Sequence, residues 1–467
     1  MPVSMPNMVE WIRTLLGADP AAQSRPLEKY LEGIPRIETL ASLPSGTPVL
    51  VRGDLDAKPG AKVGEGDIRL RSMVETIRFG QQQGWKQVVF GHIGRKPEGS
   101  LKAVAKRLAE LIGSEVPLVD DWYDDATGTI RESLVQCVAA MKPGAVVMLE
   151  NTRKYKIERV LWDARPDQAA ELADKTGKLA HEFAEKVAQF YVNEALSAGS
   201  LDSSTTVVPA AMKQVALGKY VAHEFDGPMR RCLASQLVVF SGLKTDKLDD
   251  LEAMINRGTV RWVFTAGSLA MALKKADAEL NGQSFSMGLA EDPAHAEKPY
   301  YIARERIEQA KKMLQEGRAK GIEFVLPVDF VLQDGRASET IGPGDQQFDI
   351  GPKSSELFST KIGEFITKSK QASGSKPAAF HNGVFGMFED PRFAEGTKRF
   401  VGEFKRMTDA GVDVYVGGGE GGTALELYGQ PGWVTHCFTA GGTVLNALGS
   451  APVPYLVALY QAAHRAS

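Results

Sequence analysis

Cysteine is scarce in this 467-residue chain. Its three copies, Cys137, Cys232 and Cys437, are odd in number and far apart. They offer no paired-ligand spacing for zinc and no disulfide framework, so reduced, buried thiols are expected. An excess of charge is missing too: 55 basic against 58 acidic side chains leave a net charge of −3. That balance gives no electrostatic footprint for nucleic acid or an anionic membrane. No apolar run approaches the roughly 18 residues of a membrane span. The start, MPVSMPNMVEWIRTLLG, lacks a basic segment followed by a continuous apolar stretch, so it does not read as a signal peptide. A cytoplasmic enzyme is the resulting expectation, with no nucleic-acid or membrane partner. There is no G-x-x-x-x-G-K-[ST], which excludes a P-loop, and neither a solenoid-period repeat nor a low-complexity tract.

What the chain does have is alternation. Short apolar, β-branched runs recur: VLVRGDL (49–55), QVVFGHI (87–93), VVMLENT (146–152), FYVNEA (190–195), LVVFSGL (237–243), WVFTAG (262–267), FVLPVDFVL (324–332), AAFHNG (378–383), DVYVGGG (413–419) and HCFTAGG (436–442). Amphipathic segments such as SLKAVAKRLAELIG (100–113) lie between them. Nearly continuous apolar strands alternating with helices predict buried parallel sheets, an α/β class of two doubly wound, Rossmann-like domains. The length exceeds what one hydrophobic core serves, and the division is placed near ALGKYVAHEFDGPMR (216–230).

Polar and glycine residues cluster where these strands end, which is where open α/β sheets bind ligands. The first series brings Arg69, His92, Arg95 and Arg153, and guanidinium forks suit carboxylate or phosphate oxygens. The second brings Lys244 and Lys247, with glycine turns at TAG (265–267), HNG (381–383), GGGEGG (417–422) and AGG (440–442). Such turns let backbone N–H groups approach phosphates at helix N-termini. GGGEGG also fits a dinucleotide fingerprint, but that motif requires an acid at the end of the next strand. VTHCFTAGG carries none there.

In order along the chain, VLVRGDLDAKPG, IRLRSMVETI, GHIGRKPEGSLKAVAKRLAELIG, MLENTRKY, YVNEALS, SGLKTDKLDDLEAMI, LPVDFVL, DIGPKSSELF, HNGVFGMFE and VYVGGGEGGTAL stand over roughly 45–465. Together they resemble the phosphoglycerate kinase family. The resemblance implies a hinged two-domain fold with a C-terminal segment returning to the first domain. The boundaries expected are an extension over 1–36, a carboxylate-acceptor domain over 37–222 completed by 448–467, and a nucleotide domain over 223–447. It implies phosphoryl transfer between ATP and a carboxylate with Mg²⁺, giving ADP and an acyl phosphate, in a monomer.

Carried onto this sequence, the family's substrate contacts fall on Asp54, Asp56, Arg69, His92, Arg95 and Arg153. Arg69, Lys244 and the Gly441–Gly442 turn match the groups at the transferring phosphoryl. Gly242, Leu243, Lys244, Lys247, Gly267, Asn382, Gly383, Val384 and Glu389 match the nucleotide site. So do Gly417, Gly418, Gly419, Glu420 and Gly421, with Glu420 the metal candidate. Positioning and charge neutralisation supply most of the rate in such chemistry.

Departures from the family pattern carry information. Asp56 replaces an asparagine, Ser200 and Leu201 replace a His-Arg pair, and Glu420 replaces an aspartate. Val384 replaces a proline, and Ala440 replaces a cradle glycine. Insertions occur around 157–180 and 279–300. The acceptor side thereby loses about two positive charges, each worth roughly a few kcal/mol at an effective dielectric near 20. Three readings follow. One is a carboxylate kinase whose acceptor is less anionic than phosphoglycerate, with an amine that Asp54 and Asp56 could pair. The second is a ligase in which an amine co-substrate captures the acyl phosphate. The third is a phosphoglycerate kinase with compensated charge, or a non-catalytic nucleotide binder.

Overall fold

The apolar runs of the first half become six parallel strands: β1 (Pro48–Gly53), β2 (Lys86–Phe90), β3 (Leu118–Val119), β4 (Val146–Leu149), β5 (Phe190–Glu194) and β6 (Gln214–Leu217). Their order is β3-β4-β2-β1-β5-β6, and every pair is parallel. Alternate residues face opposite sides of the sheet. Val49, Val51 and Val89 pack in one core with Leu70, Met73 and Ile77 and with Val104 and Leu108. On the other face the Phe90 ring lies 5.5 Å from Phe183. Burial on both faces is why these strands are apolar throughout.

The computed structural model describes residues 4–18, 25–57, 59, 67–243, 247–371, 376–448 and 452–465. Chain contacts divide it into two units, 1–227 with 451–467, and 228–450. Helix α1 (Met5–Leu15) belongs to the first unit. Its Met8, Trp11, Ile12 and Leu15 form a buried stripe, and Trp11 Nε1 donates to the Thr206 carbonyl at 2.8 Å. This helix of the extension is therefore part of the first unit's core. Helix α2 (Ile68–Gln82) follows β1, and α3 (Lys102–Ile112) follows β2. Helix α3 ends on Gly113, whose φ of 74° makes a left-handed cap that glycine adopts without steric cost. Helix α4 (Ala169–Lys186) carries Phe183 to the sheet.

The second unit repeats the plan with β7 (Leu237–Phe240), β8 (Trp262–Thr265) and β9 (Glu323–Val325). A small antiparallel sheet of β10 (Phe330–Leu332), β11 (Ala337–Ser338) and β12 (Gln347–Ile350) follows. The main sheet resumes with β13 (Ala378–Asn382), β14 (Asp413–Gly417) and β15 (His436–Cys437), in the order β9-β8-β7-β13-β14-β15. FVLPVDFVL is thus two strands in two sheets, where the sequence pattern predicts one. Pro327 has no amide hydrogen for a ladder. Asp329 turns instead to the start of the helix that spans Pro352–Gln371, accepting from the Ser354 amide at 2.7 Å and its hydroxyl at 2.6 Å. Of HCFTAGG, only the first two residues are strand.

The helices of this unit that shape the site are α5 (Lys247–Asn256), α6 (Gly267–Leu280), α7 (Pro352–Gln371), α8 (Glu395–Asp409), α9 (Gly419–Tyr428) and α10 (Gly441–Leu448). The last helix, α11 (Pro454–His464), packs in the first unit, where the buried Tyr455 donates to the Leu196 carbonyl at 3.4 Å.

Candidate functional site

In the first unit, neighbouring strands β4, β2, β1 and β5 end together, so their final residues converge. Arg69, in the first turn of α2, lies between two carboxylates. Its Nε is 3.9 Å from Asp54 and its Nη1 is 3.3 Å from Asp56. The Nη1 group also donates to the Asp56 carbonyl at 2.9 Å. Asp54 is buried and accepts from the Ser197 hydroxyl at 2.7 Å. Burial raises its pKa, against the pull of Arg69 and Ser197. Asp56 remains a third exposed and accepts from the Gly94 amide at 2.9 Å, tying the loop after β2 to the end of β1.

His92 and Arg153 belong to a different group. Arg153 sits on a 3₁₀ turn whose start is capped by Asn151. Its Nη2 donates to Asp202 at 3.0 Å, and its guanidinium lies 4.7 Å from the Trp162 ring centre. Arg52 donates to Ser204 Oγ at 3.0 Å and to His92 Nδ1 at 2.8 Å. That contact leaves the imidazole proton on Nε2. Burial first, then Arg52 and Arg153, push the His92 pKa well down, so the ring is neutral. Asp202 also accepts from Trp162 Nε1 at 2.9 Å, and its Oδ2 is 3.7 Å from Arg52 Nη2. Glu158, from the insertion, accepts from the Ser204 hydroxyl at 2.6 Å and amide at 2.9 Å. Burial and the nearby Asp202 raise its pKa.

By their direct contacts Arg69, His92 and Arg153 sort onto different carboxylates at one strand edge, with Arg69 still near enough to His92 to help lower its pKa. Arg69 keeps Asp54 and Asp56, and Arg153 and His92 surround Asp202. Arg95 is exposed on the loop after β2, where its carbonyl accepts from Arg159 at 3.2 Å. Asp202, Glu158, Arg52 and Trp162 are absent from the sequence-derived site. SAGSLDSST reads as a polar turn, and only the returning chain shows that its aspartate is buried.

In the second unit a cavity of about 450 Å³ opens at the strand ends. Gly242, Leu243, Gly267, Val384, Glu389 and Glu420 line it, as do Ser268, Met271, Met287, Tyr300, Gln347 and Phe348. The 279–300 insertion thus supplies Met287 and Tyr300 to its wall. The turns are tightly packed: Gly267 has φ +63°, and a side chain there would meet the Gly242 carbonyl at 2.7 Å. Asn382 is buried behind the cavity and donates to the Gly417 carbonyl at 3.0 Å, while Gly383 has φ +101°. Lys247 donates to the Ser241 carbonyl at 2.7 Å. Gly418, with φ +96°, precedes α9, so Gly419, Glu420 and Gly421 form that helix's first turn. Gly441 begins α10 directly against Gly418, with Gly442 beside it. Lys244 lies outside the described residues. A second cavity, about 470 Å³ and lined by Phe358, Phe385 and Phe400, contains none of the sequence-derived residues.

Among the described residues, no group of three His, Cys, Asp or Glu side chains could hold a metal. Glu420 nevertheless suits Mg²⁺ arriving with a nucleotide, because that ion needs only one or two carboxylates and fills its remaining positions with phosphate and water.

Comparison with known proteins decides the family. The phosphoglycerate kinase family model matches residues 42–450. The chain belongs to the phosphoglycerate kinase family. Cytosolic phosphoglycerate kinase 3 of Arabidopsis thaliana is 28% identical over 437 residues, covering 89% of this chain and 96% of the relative. Phosphoglycerate kinase of Clostridium novyi (strain NT) is also 28% identical, with the same coverage. The crystal structure of phosphoglycerate kinase from Pyrococcus horikoshii OT3 aligns with a TM-score of 0.69 at 24% identity, covering 92% of this chain and 99% of that one. Leu201 is half-buried, and Asp202 beside it is wholly buried and pairs with Arg153.

Proposed function

We propose that the protein is an ATP-dependent kinase of a carboxylate, forming an acyl phosphate, and that its acceptor is not 3-phosphoglycerate. The glycine-walled cavity of the second unit carries the nucleotide half of this reading. It offers backbone amides and two carboxylates to a Mg-nucleotide, and an apolar wall of Met271, Met287 and Tyr300 to the base. Mg²⁺ would neutralise phosphate charge there, with Glu420 as its ligand. In the first unit, Arg69 is the group that neutralises charge on the transferring phosphoryl, held in place by Asp54 and Asp56. The acceptor's carboxylate oxygen is the nucleophile, so no deprotonation by the protein is needed.

Incubation with Mg-ATP, a panel of carboxylic acids and hydroxylamine tests this. ADP with hydroxamate from a non-phosphorylated acid is the expected result. Amide formation on adding an amine would redirect the reading to a ligase. Turnover of 3-phosphoglycerate at a rate matching the best acid would overturn the acceptor assignment. Nucleotide binding without ADP formation from any acid would overturn the kinase reading.

A further inference from the structure

Arg52, His92 and Arg153 come from the ends of three adjacent strands and surround one carboxylate. Asp202 has no exposed surface, while Arg52, Arg153 and His92 are 1%, 5% and 6% exposed. Both Asp202 oxygens are engaged: Oδ1 by Trp162 Nε1 at 2.9 Å, and Oδ2 by Arg153 Nη2 at 3.0 Å, with Arg52 Nη2 at 3.7 Å. A basic pocket that binds a ligand anion must present an unpaired charge to it, because desolvating two ions is recovered only by their pairing. Here the charge is already paired from within. His92 is neutral and adds none, and Glu158 places a second carboxyl near Arg52. Trp162, from the insertion, packs its ring against the Arg153 guanidinium.

We propose that Asp202 is a built-in surrogate for a substrate anion: it occupies the anion position of the Arg52–His92–Arg153 group, so that the acceptor carries no second phosphate or carboxylate there. Asp202 is then a specificity-determining residue. The inference rests on placing the acceptor at this strand edge, as in the proposed function, but its test does not depend on turnover. The substrate class is a monoanionic carboxylic acid whose far end is neutral or cationic.

The probe is inorganic phosphate, titrated calorimetrically into the full-length wild-type protein and into Asp202→Asn, with 3-phosphoglycerate as a second ligand. The near-isosteric amide keeps the side chain's size and removes its charge, while its single oxygen can accept from only one of Trp162 and Arg153. Phosphate binding common to both proteins belongs to the glycine turns of the second unit; beyond it, wild type is expected not to bind 3-phosphoglycerate measurably, and Asp202→Asn to gain at least about tenfold in phosphate affinity, equivalent to about 1.4 kcal/mol. A folded Asp202→Asn that gains nothing overturns the inference, as does wild-type binding of 3-phosphoglycerate as tight as the variant's. Asp202→Ala supplies a second readout: phosphate stabilises proteins in general more than chloride does, so refilling of the vacated position should make the phosphate-over-chloride rise in melting temperature larger in the variant than in wild type. An equal rise in the two proteins would count against the proposal. If even the Asn variant fails to fold, wild-type calorimetry with 3-phosphoglycerate decides: measurable binding overturns the inference, and its absence supports it. ADP formation without the phosphate gain defeats only the Asp202 assignment. The gain without ADP formation defeats only the kinase reading.

Discussion

Arg153 Nη2 and Asp202 Oδ2 lie 3.0 Å apart, with no more than 5% of either side chain exposed. One partner sits on the 3₁₀ turn after β4 and the other on a serine-rich turn 49 residues further on. Removing one member of a buried ion pair leaves the other desolvated and uncompensated. Arg153→Met is therefore expected to destabilise the first unit by about 3–5 kcal/mol. Adding Asp202→Leu should recover part of that loss. Denaturant unfolding followed by Trp fluorescence measures both, and a single-variant cost below about 1 kcal/mol would show that the pair is not energetically coupled.

Glu420 stands in the first turn of α9 and faces the same cavity as Glu389. If it ligates the metal, Glu420→Gln should reduce the gain in ADP affinity that Mg²⁺ provides, by about tenfold or more. Metal-free ADP binding should be little changed or tighter, because one negative charge is removed. An undiminished Mg²⁺ effect would remove Glu420 from the site.

Gly267 combines a left-handed backbone with contact against the Gly242 carbonyl. Gly267→Ala should strain the turn by about 1–3 kcal/mol and push apart the two loops that line the cavity. Nucleotide affinity is expected to fall along with the melting temperature of the second unit. Wild-type affinity in the alanine variant would contradict a close-packed phosphate turn.

Glu194 is wholly buried at the end of β5 and accepts from the Tyr220 amide at 3.0 Å. Burial pushes its pKa up to about 7, against the hydrogen bonds that favour the anion. A carboxyl that binds its proton more tightly when folded stabilises the fold at low pH. That contribution is full below the ordinary value of 4.5 and is lost as the pH rises through about 7. The shift corresponds to about 3 kcal/mol. Melting curves across this window should be flatter for Glu194→Gln than for wild type; equal slopes would show that Glu194 does not titrate there.

Trp11 anchors the N-terminal extension through its indole N–H and its buried ring. Trp11→Ala should cost about 3–5 kcal/mol, as for other buried aromatic truncations. A loss within about 0.5 kcal/mol, the range of surface changes, would mean that α1 contributes nothing to the first unit.

The sequence by itself determined the strand–helix alternation, the parallel sheets and the glycine turns at their edges. These are properties of local patterns, in which burial on both faces demands continuous apolar strands and tight turns demand glycine. The motif order also determined the family. Tertiary structure decided which charges meet. Arg69 and Arg153 look equivalent as isolated arginines at strand ends, yet one is held by Asp54 and Asp56 and the other by Asp202. It also divided FVLPVDFVL between two sheets and buried the aspartate of SAGSLDSST. Pairing of buried ions depends on the position of distant segments and on how far water is excluded, and no local sequence pattern encodes either.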